Sequence, residues 1–167
     1  MNLIVNPSGI ANWNGQRYRC ALGSGGISNQ KQEGDGITPA GKFPLRQVFF
    51  RPDRIERPHT FLPVSALTEK DGWSDDLDDL HYNQKITLPY TASHELLWRT
   101  DAVYDLIAVI GYNDKPVVSG CGSAIFLHLA KPDYRDTQGC VAFALCDLSR
   151  ILNEWEKTSL LDIRTEA

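Results

Sequence analysis

The sequence predicts a mainly β protein folded as a single domain, and three observations carry that prediction. Its apolar runs are short, and nine prolines and 13 glycines are spread between them. No linker, internal repeat or low-complexity block divides the chain. At 167 residues and 42% hydrophobic content there is material for one core and no more.

Taken in order, the predicted strands are Asn2–Asn6, Gln16–Leu22, Phe43–Phe50, Lys85–Leu88, Asp105–Tyr112, Ala124–Ala130, Cys140–Ala144 and Leu160–Arg164. Each is a run of apolar or alternating residues closed by turn formers. From Arg51 to Tyr90 the pattern weakens. Pro52, Pro58, Pro63, Gly72 and Pro89 interrupt it, and Asp71-Gly-Trp-Ser-Asp-Asp-Leu-Asp-Asp79 is acidic. This reads as a solvated loop that flanks a cleft. An EF-hand would need a closing Glu at fixed spacing, and none is present. One helix stands out: Asp147 is placed to cap it, and Leu148, Ile151, Leu152 and Trp155 share one face. Ser93–Trp98 is expected to form a second, short helical turn capped by Ser93.

Net charge is −4 and the isoelectric point is near 5.5, so an electrostatic grip on nucleic acid is not expected. No apolar run reaches the ~18 residues of a membrane span. The first residues lack a basic segment, a long apolar segment and a small-residue cleavage site, which by themselves point to the cytoplasm. The cysteines are Cys20, Cys121, Cys140 and Cys146. They contain no C-x-x-C knuckle, so no structural zinc is expected. Cys121 and Cys146 are candidates for a disulfide if their segments are neighbours.

The chemistry concentrates between Ala124 and Leu145. Cys140 follows His128 by twelve positions, across the turn-rich Lys131-Pro-Asp-Tyr-Arg-Asp-Thr137. An antiparallel pairing centred on Tyr134 would set the two residues opposite each other, their Cβ atoms about 4.5–5.5 Å apart. A thiol beside an imidazole gains thiolate character, and a thiolate attacks carbonyl carbon. Gly139 leaves room for a substrate backbone to approach, and the amides of Gly139, Cys140 and Val141 are candidate oxyanion donors. The bland alternative is a buried thiol and a core histidine.

Thr137-Gln-Gly-Cys-Val-Ala142 after Phe126-Leu-His128 resembles the catalytic signature of the L,D-transpeptidases of the YkuD type. Gly34-Asp-Gly-Ile-Thr-Pro-Ala-Gly-Lys-Phe-Pro-Leu45 is similar to the family's Thr-Pro-x-Gly-x-Phe element. Ser93-His-Glu-Leu-Leu-Trp98, Tyr104-Asp105, Gly111-Tyr-Asn113 and Gly122-Ser-Ala-Ile-Phe126 resemble a proteobacterial branch, so the likeness spans about residues 18–155. The resemblance implies a β-sandwich-like catalytic fold with one or two short helices. It implies Cys140 as nucleophile, His128 as general base, and Gly139 with Val141 shaping the oxyanion site. It also implies peptidoglycan peptide stems as substrate, carbapenem β-lactams as inhibitors and a periplasmic place of work. Two positions depart from the commoner pattern: Gln138 stands where a second histidine would be, and Ala142 where an Arg or Asn would be. Substrate contacts of those residues do not carry over.

Tyr112, Asn113, Ser123 and His94 flank the proposed site and are candidates for holding a peptide stem, as are Thr137 and Gln138 beside the thiol. His59 reads as a surface loop residue, and His81 as packing with nearby aromatics. Thiol acyl transfer needs no cofactor, and the sequence signals none. Three functions stay open: a cross-linking transpeptidase, a carboxypeptidase passing the same acyl group to water, and a non-catalytic wall-binding module. The enzymatic readings predict that Cys140 is alkylated faster than the other three thiols.

Overall fold

A computed structural model describes residues 1–166. The chain begins with a meander, β1 (Asn2–Asn6), β2 (Ile10–Trp13) and β3 (Gln16–Arg19). Short strands β4 (Ile27–Ser28), β5 (Thr38–Pro39) and β6 (Gly41–Phe43) lead into β7 (Leu45–Phe50). Then come β8 (Val64–Ala66), β9 (Asp71–Ser74), β10 (Lys85–Thr87), β11 (His94–Leu96) and β12 (Leu106–Ile110). The last elements are β13 (Phe126–Leu129), β14 (Val141–Phe143), α1 (Leu145–Asn153) and β15 (Leu160–Ile163).

Two five-stranded sheets dominate, ordered β3-β2-β1-β15-β6 and β14-β13-β12-β7-β8. Alternation explains how they share a core. Leu3, Val5, Ala11 and Trp13 of the first meet Leu45, Val48, Leu106, Ala108, Leu127, Leu129, Val141 and Phe143 of the second in one apolar cluster. Leu148, Ile151 and Leu152 of α1 complete it, and Trp155 stacks on Trp13 at 5.2 Å. The structure is mainly β and sandwich-like, as the sequence predicts.

Every residue of β12 is buried, so the second sheet is covered on both faces. The other set of alternating side chains, Phe49, Ile107, Val109 and Phe126, joins Trp73, Leu97, Val103 and Tyr104 in a second cluster. A three-stranded sheet, β10-β9-β11, brings Trp73 to that cluster. Two sequence expectations are corrected here. The region 51–90 is not one loop: it supplies β8, β9 and β10, and all four residues of β9 are buried. Ser93–Trp98 is not helical either, because His94–Leu96 finds an antiparallel partner in β9, with His94 opposite Ser74.

Helix α1 forms where expected but is capped differently. Its N-cap is Ala144 in an extended conformation with no side-chain bond. The chain leaves β14 at Phe143 and turns straight into the helix, which puts Asp147 inside the first turn. There its charge still complements the positive end of the helix.

Candidate active site

The main correction concerns register. Strands β13 and β14 pair parallel, with His128 opposite Ala142 and Leu127 opposite Val141. Parallel neighbours need a crossover rather than a tight turn, and residues 130–140 supply it. The far edge of that crossover is fastened to the segment after β3. Thr137 N–H donates to Leu22 O at 2.9 Å, and Ala142 and Ala21 exchange both backbone bonds at 2.8 and 2.9 Å.

Parity survives the change. Ala142 lies beside His128, and Cys140 stands two residues earlier on the same face, displaced along the strand by about 7 Å. Both side chains therefore emerge on the face covered by the second apolar cluster. Both line a cavity of about 430 Å³, a size that suits a small ligand. Among the described residues, no hydrogen bond joins thiol to imidazole. Cys140 Sγ instead donates to Ala124 O at 3.2 Å and accepts Phe126 N–H at 3.3 Å.

Burial sets the charge states. The Cys140 thiol is pushed up to about 12, first by desolvation and then by Glu95, while Phe126 N–H and Lys31 pull the other way. His128 is pushed down to about 4 by desolvation, against its bond to Leu129 O. The resting pair is thus an uncharged thiol and an uncharged imidazole. A carbonyl oxygen only accepts, so His128 Nδ1, 2.9 Å from Leu129 O, carries the proton and Nε2 is left basic. The Tyr104 ring meets the imidazole edge to face at 5.4 Å. Its hydroxyl donates to Glu95, whose carboxyl burial raises above the ordinary range.

The amides around the thiol also differ from expectation. Gly139 N–H donates to Thr137 Oγ1 at 3.1 Å, and Thr137 Oγ1 in turn donates to Cys140 O at 2.7 Å. Ala142 N–H points toward Ala21, so by alternation Val141 N–H points into the β13 ladder. Gly139 and Val141 therefore have their donors committed. Among the described residues, no hydrogen bond engages the Cys140 N–H. Gly139 is still required by the backbone: it adopts φ +123°, and a Cβ there would lie 2.7 Å from Ile37 O.

His94, Ser123, Thr137 and Gln138 line the cavity with Cys140 and His128. Ser123 Oγ donates to Glu33 at 3.0 Å, and His94 Nδ1 bonds Ala92 O at 2.7 Å. Tyr112 and Asn113 do not line it. Tyr112 borders a separate cavity of about 230 Å³, and its hydroxyl donates to Cys121 O. Asn113, at φ 49°, spends its side chain on Val118 and Gly122, holding a turn. His59 is exposed as expected, and His81 is exposed with its ring edge to face against Tyr90. Sequence reasoning missed Lys31, Glu33, Glu95 and Tyr104, all of which line the cavity. Glu95 and Tyr104 sat inside motifs already singled out; Lys31, three residues before Gly34, carried no signal of its own.

All four cysteines are free thiols, so Cys121 and Cys146 form no disulfide. Cys140 is 7% exposed and Cys146 is exposed, so access by a small reagent works against the expected order of alkylation. Among the described residues, no cluster of His, Cys, Asp and Glu could hold a metal ion, and no helix is long and apolar enough to cross a membrane.

A family model described as the L,D-transpeptidase catalytic domain, YkuD, matches residues 7–160. No curated protein and no solved structure matches the chain.

Proposed function

We propose, from the premise that this chain belongs to the YkuD family of L,D-transpeptidase catalytic domains, that it cross-links peptidoglycan stems through an acyl-enzyme on Cys140. The supporting observation is that Cys140 and a neutral His128 line one face of a single cavity. The thiol proton passes to His128 Nε2, and the sulfur attacks the carbonyl carbon of an amide between an L- and a D-centre in the donor stem. Negative charge on the carbonyl oxygen is met by the Cys140 N–H, an amide that has no hydrogen-bond partner among the described residues. The C–N bond breaks, the leaving amine takes the proton from His128, and a thioester remains. An acceptor amine then yields its proton to His128 as it attacks the thioester, and Sγ is reprotonated.

Such a substrate lies outside the cytoplasmic membrane, so the work is periplasmic. No cofactor enters any step. Carbapenems, which carry a strained acylating amide, are inhibitors on this reading. Incubation with defined muropeptides, followed by product mass analysis, tests it. Cross-linked dimers that vanish in Cys140→Ala support transfer; trimmed stems and the released distal amino acid with no dimers would replace transfer by hydrolysis; no turnover by the native protein would leave the wall-binding module.

A further inference from the structure

Lys31 is charged, buried and unexplained by the reaction as written. Its side chain is 3% exposed, although lysine is almost never found so deep without a reason. Nζ pairs with Asp35 Oδ1 at 3.0 Å and donates to Gln32 O at 3.4 Å. The stem of the side chain packs closely over Gly122, where a Cβ would lie 2.8 Å from Lys31 Cε. Its head reaches the nucleophile's own peptide: a Cβ on Gly139 would lie 3.3 Å from Nζ. Lys31 and Cys140 line the same cavity.

Resting on the acyl-enzyme reading, we propose that Lys31 is a positioning residue for the reacting sulfur: its buried cation, fastened by Asp35 beside the Gly139–Cys140 peptide, supplies the positive potential against which the thiolate forms. Cys140 needs that help. Its sulfur sits in an apolar setting that opposes charge, and Glu95 raises the cost further. Glu95 of β11, the Phe126 N–H of β13 and Lys31 act on it directly, Tyr104 before β12 is coupled to it, and His128, His94, Glu33, Asp75, Arg99, Lys131, Arg135 and Asp136 are the other titratable groups on the same cavity. Lys31 is the cation that lowers the thiol's affinity for its proton. When the proton leaves Sγ for His128 Nε2, the new negative charge faces an ammonium already in place, with little reorganisation. Asp35 tempers that field. Its carboxyl is held below the ordinary range by the Gln32 and Ile37 amides and by Lys31, against the upward pull of burial.

The test reads the thiol itself, so it does not depend on which acyl acceptor is used. The pH profile of Cys140 alkylation by iodoacetamide, resolved from the other thiols by peptide mapping, is measured for native protein, Lys31→Met and Asp35→Asn. Lys31→Met is expected to alkylate about tenfold more slowly at pH 8–9, a displacement of about one pH unit. Asp35→Asn, which leaves the cation uncompensated, is expected to react faster than native. Opposite signs are something a purely structural role for the ion pair would not produce. Superimposable profiles for native protein and Lys31→Met would overturn the proposal. If Lys31→Met fails to fold, slower alkylation in Asp35→Asn would overturn it alone. Failure of the native protein on muropeptides is a separate result and would sink the acyl-enzyme reading, leaving this comparison intact.

Discussion

His128 shows how a residue's burial becomes a measurable pH dependence. Its folded-state pKa, about 4, lies below the unfolded value near 6.5. Above both values the group contributes no pH dependence to stability. As pH falls below about 6.5 the unfolded chain takes up the proton first, so stability declines until the folded form also protonates near 4. The full loss is on the order of 3 kcal/mol. Thermal melts between pH 7 and 4 are expected to fall more steeply for native protein than for His128→Gln; parallel slopes would contradict the buried neutral imidazole. Thiol accessibility gives a second check. At neutral pH, iodoacetamide is expected to label exposed Cys146 before Cys140 or Cys20, whose thiol burial pushes to about 12. Mapping the first labelled peptide decides it. Cys140 and His128 could be nominated from the sequence, because residue type and their place in two apolar runs flanking one turn are enough to pick them out, and the structure sets both on one cavity. Lys31 was not, since a lysine's burial depends on what folds over it.

At the scale of elements, Gly139 and Phe143 hold the site in place from opposite sides. Gly139→Ala would put a methyl 2.7 Å from Ile37 O at a positive φ, so a loss of roughly 1–3 kcal/mol is expected from denaturant unfolding. An unchanged midpoint would show that the crossover relaxes freely. Phe143 is fully buried between the sheets, and Phe143→Ala is expected to cost about 3–5 kcal/mol with the cavity face left in order. Strand positions for β1, β7, β12, β13 and β15 followed from apolar patterning. The pairing of β13 with β14 did not. A hairpin and a crossover present the same apolar run, turn and apolar run, and the choice is made by Ala21–Ser24, a segment remote in sequence that occupies the edge of 137–142. The same is true of β9 to β11, where buried partners override a proline-broken, acidic stretch.

Across the whole molecule, the layering explains why one cavity gathers these groups. The sandwich core uses one face of β12, β13 and β14, which leaves Phe126, His128 and Cys140 on the opposite face. The three-stranded sheet then contributes His94 and Glu95 to the cavity wall. The acyl-enzyme account rests on that convergence. Its most direct test is intact-mass analysis after incubation with a carbapenem, followed by peptide mapping. The account predicts a single adduct of the drug's full mass on Cys140, absent in Cys140→Ala and slowed in His128→Gln. Adduct formation on another cysteine, or an unmodified Cys140 after prolonged exposure, would contradict it.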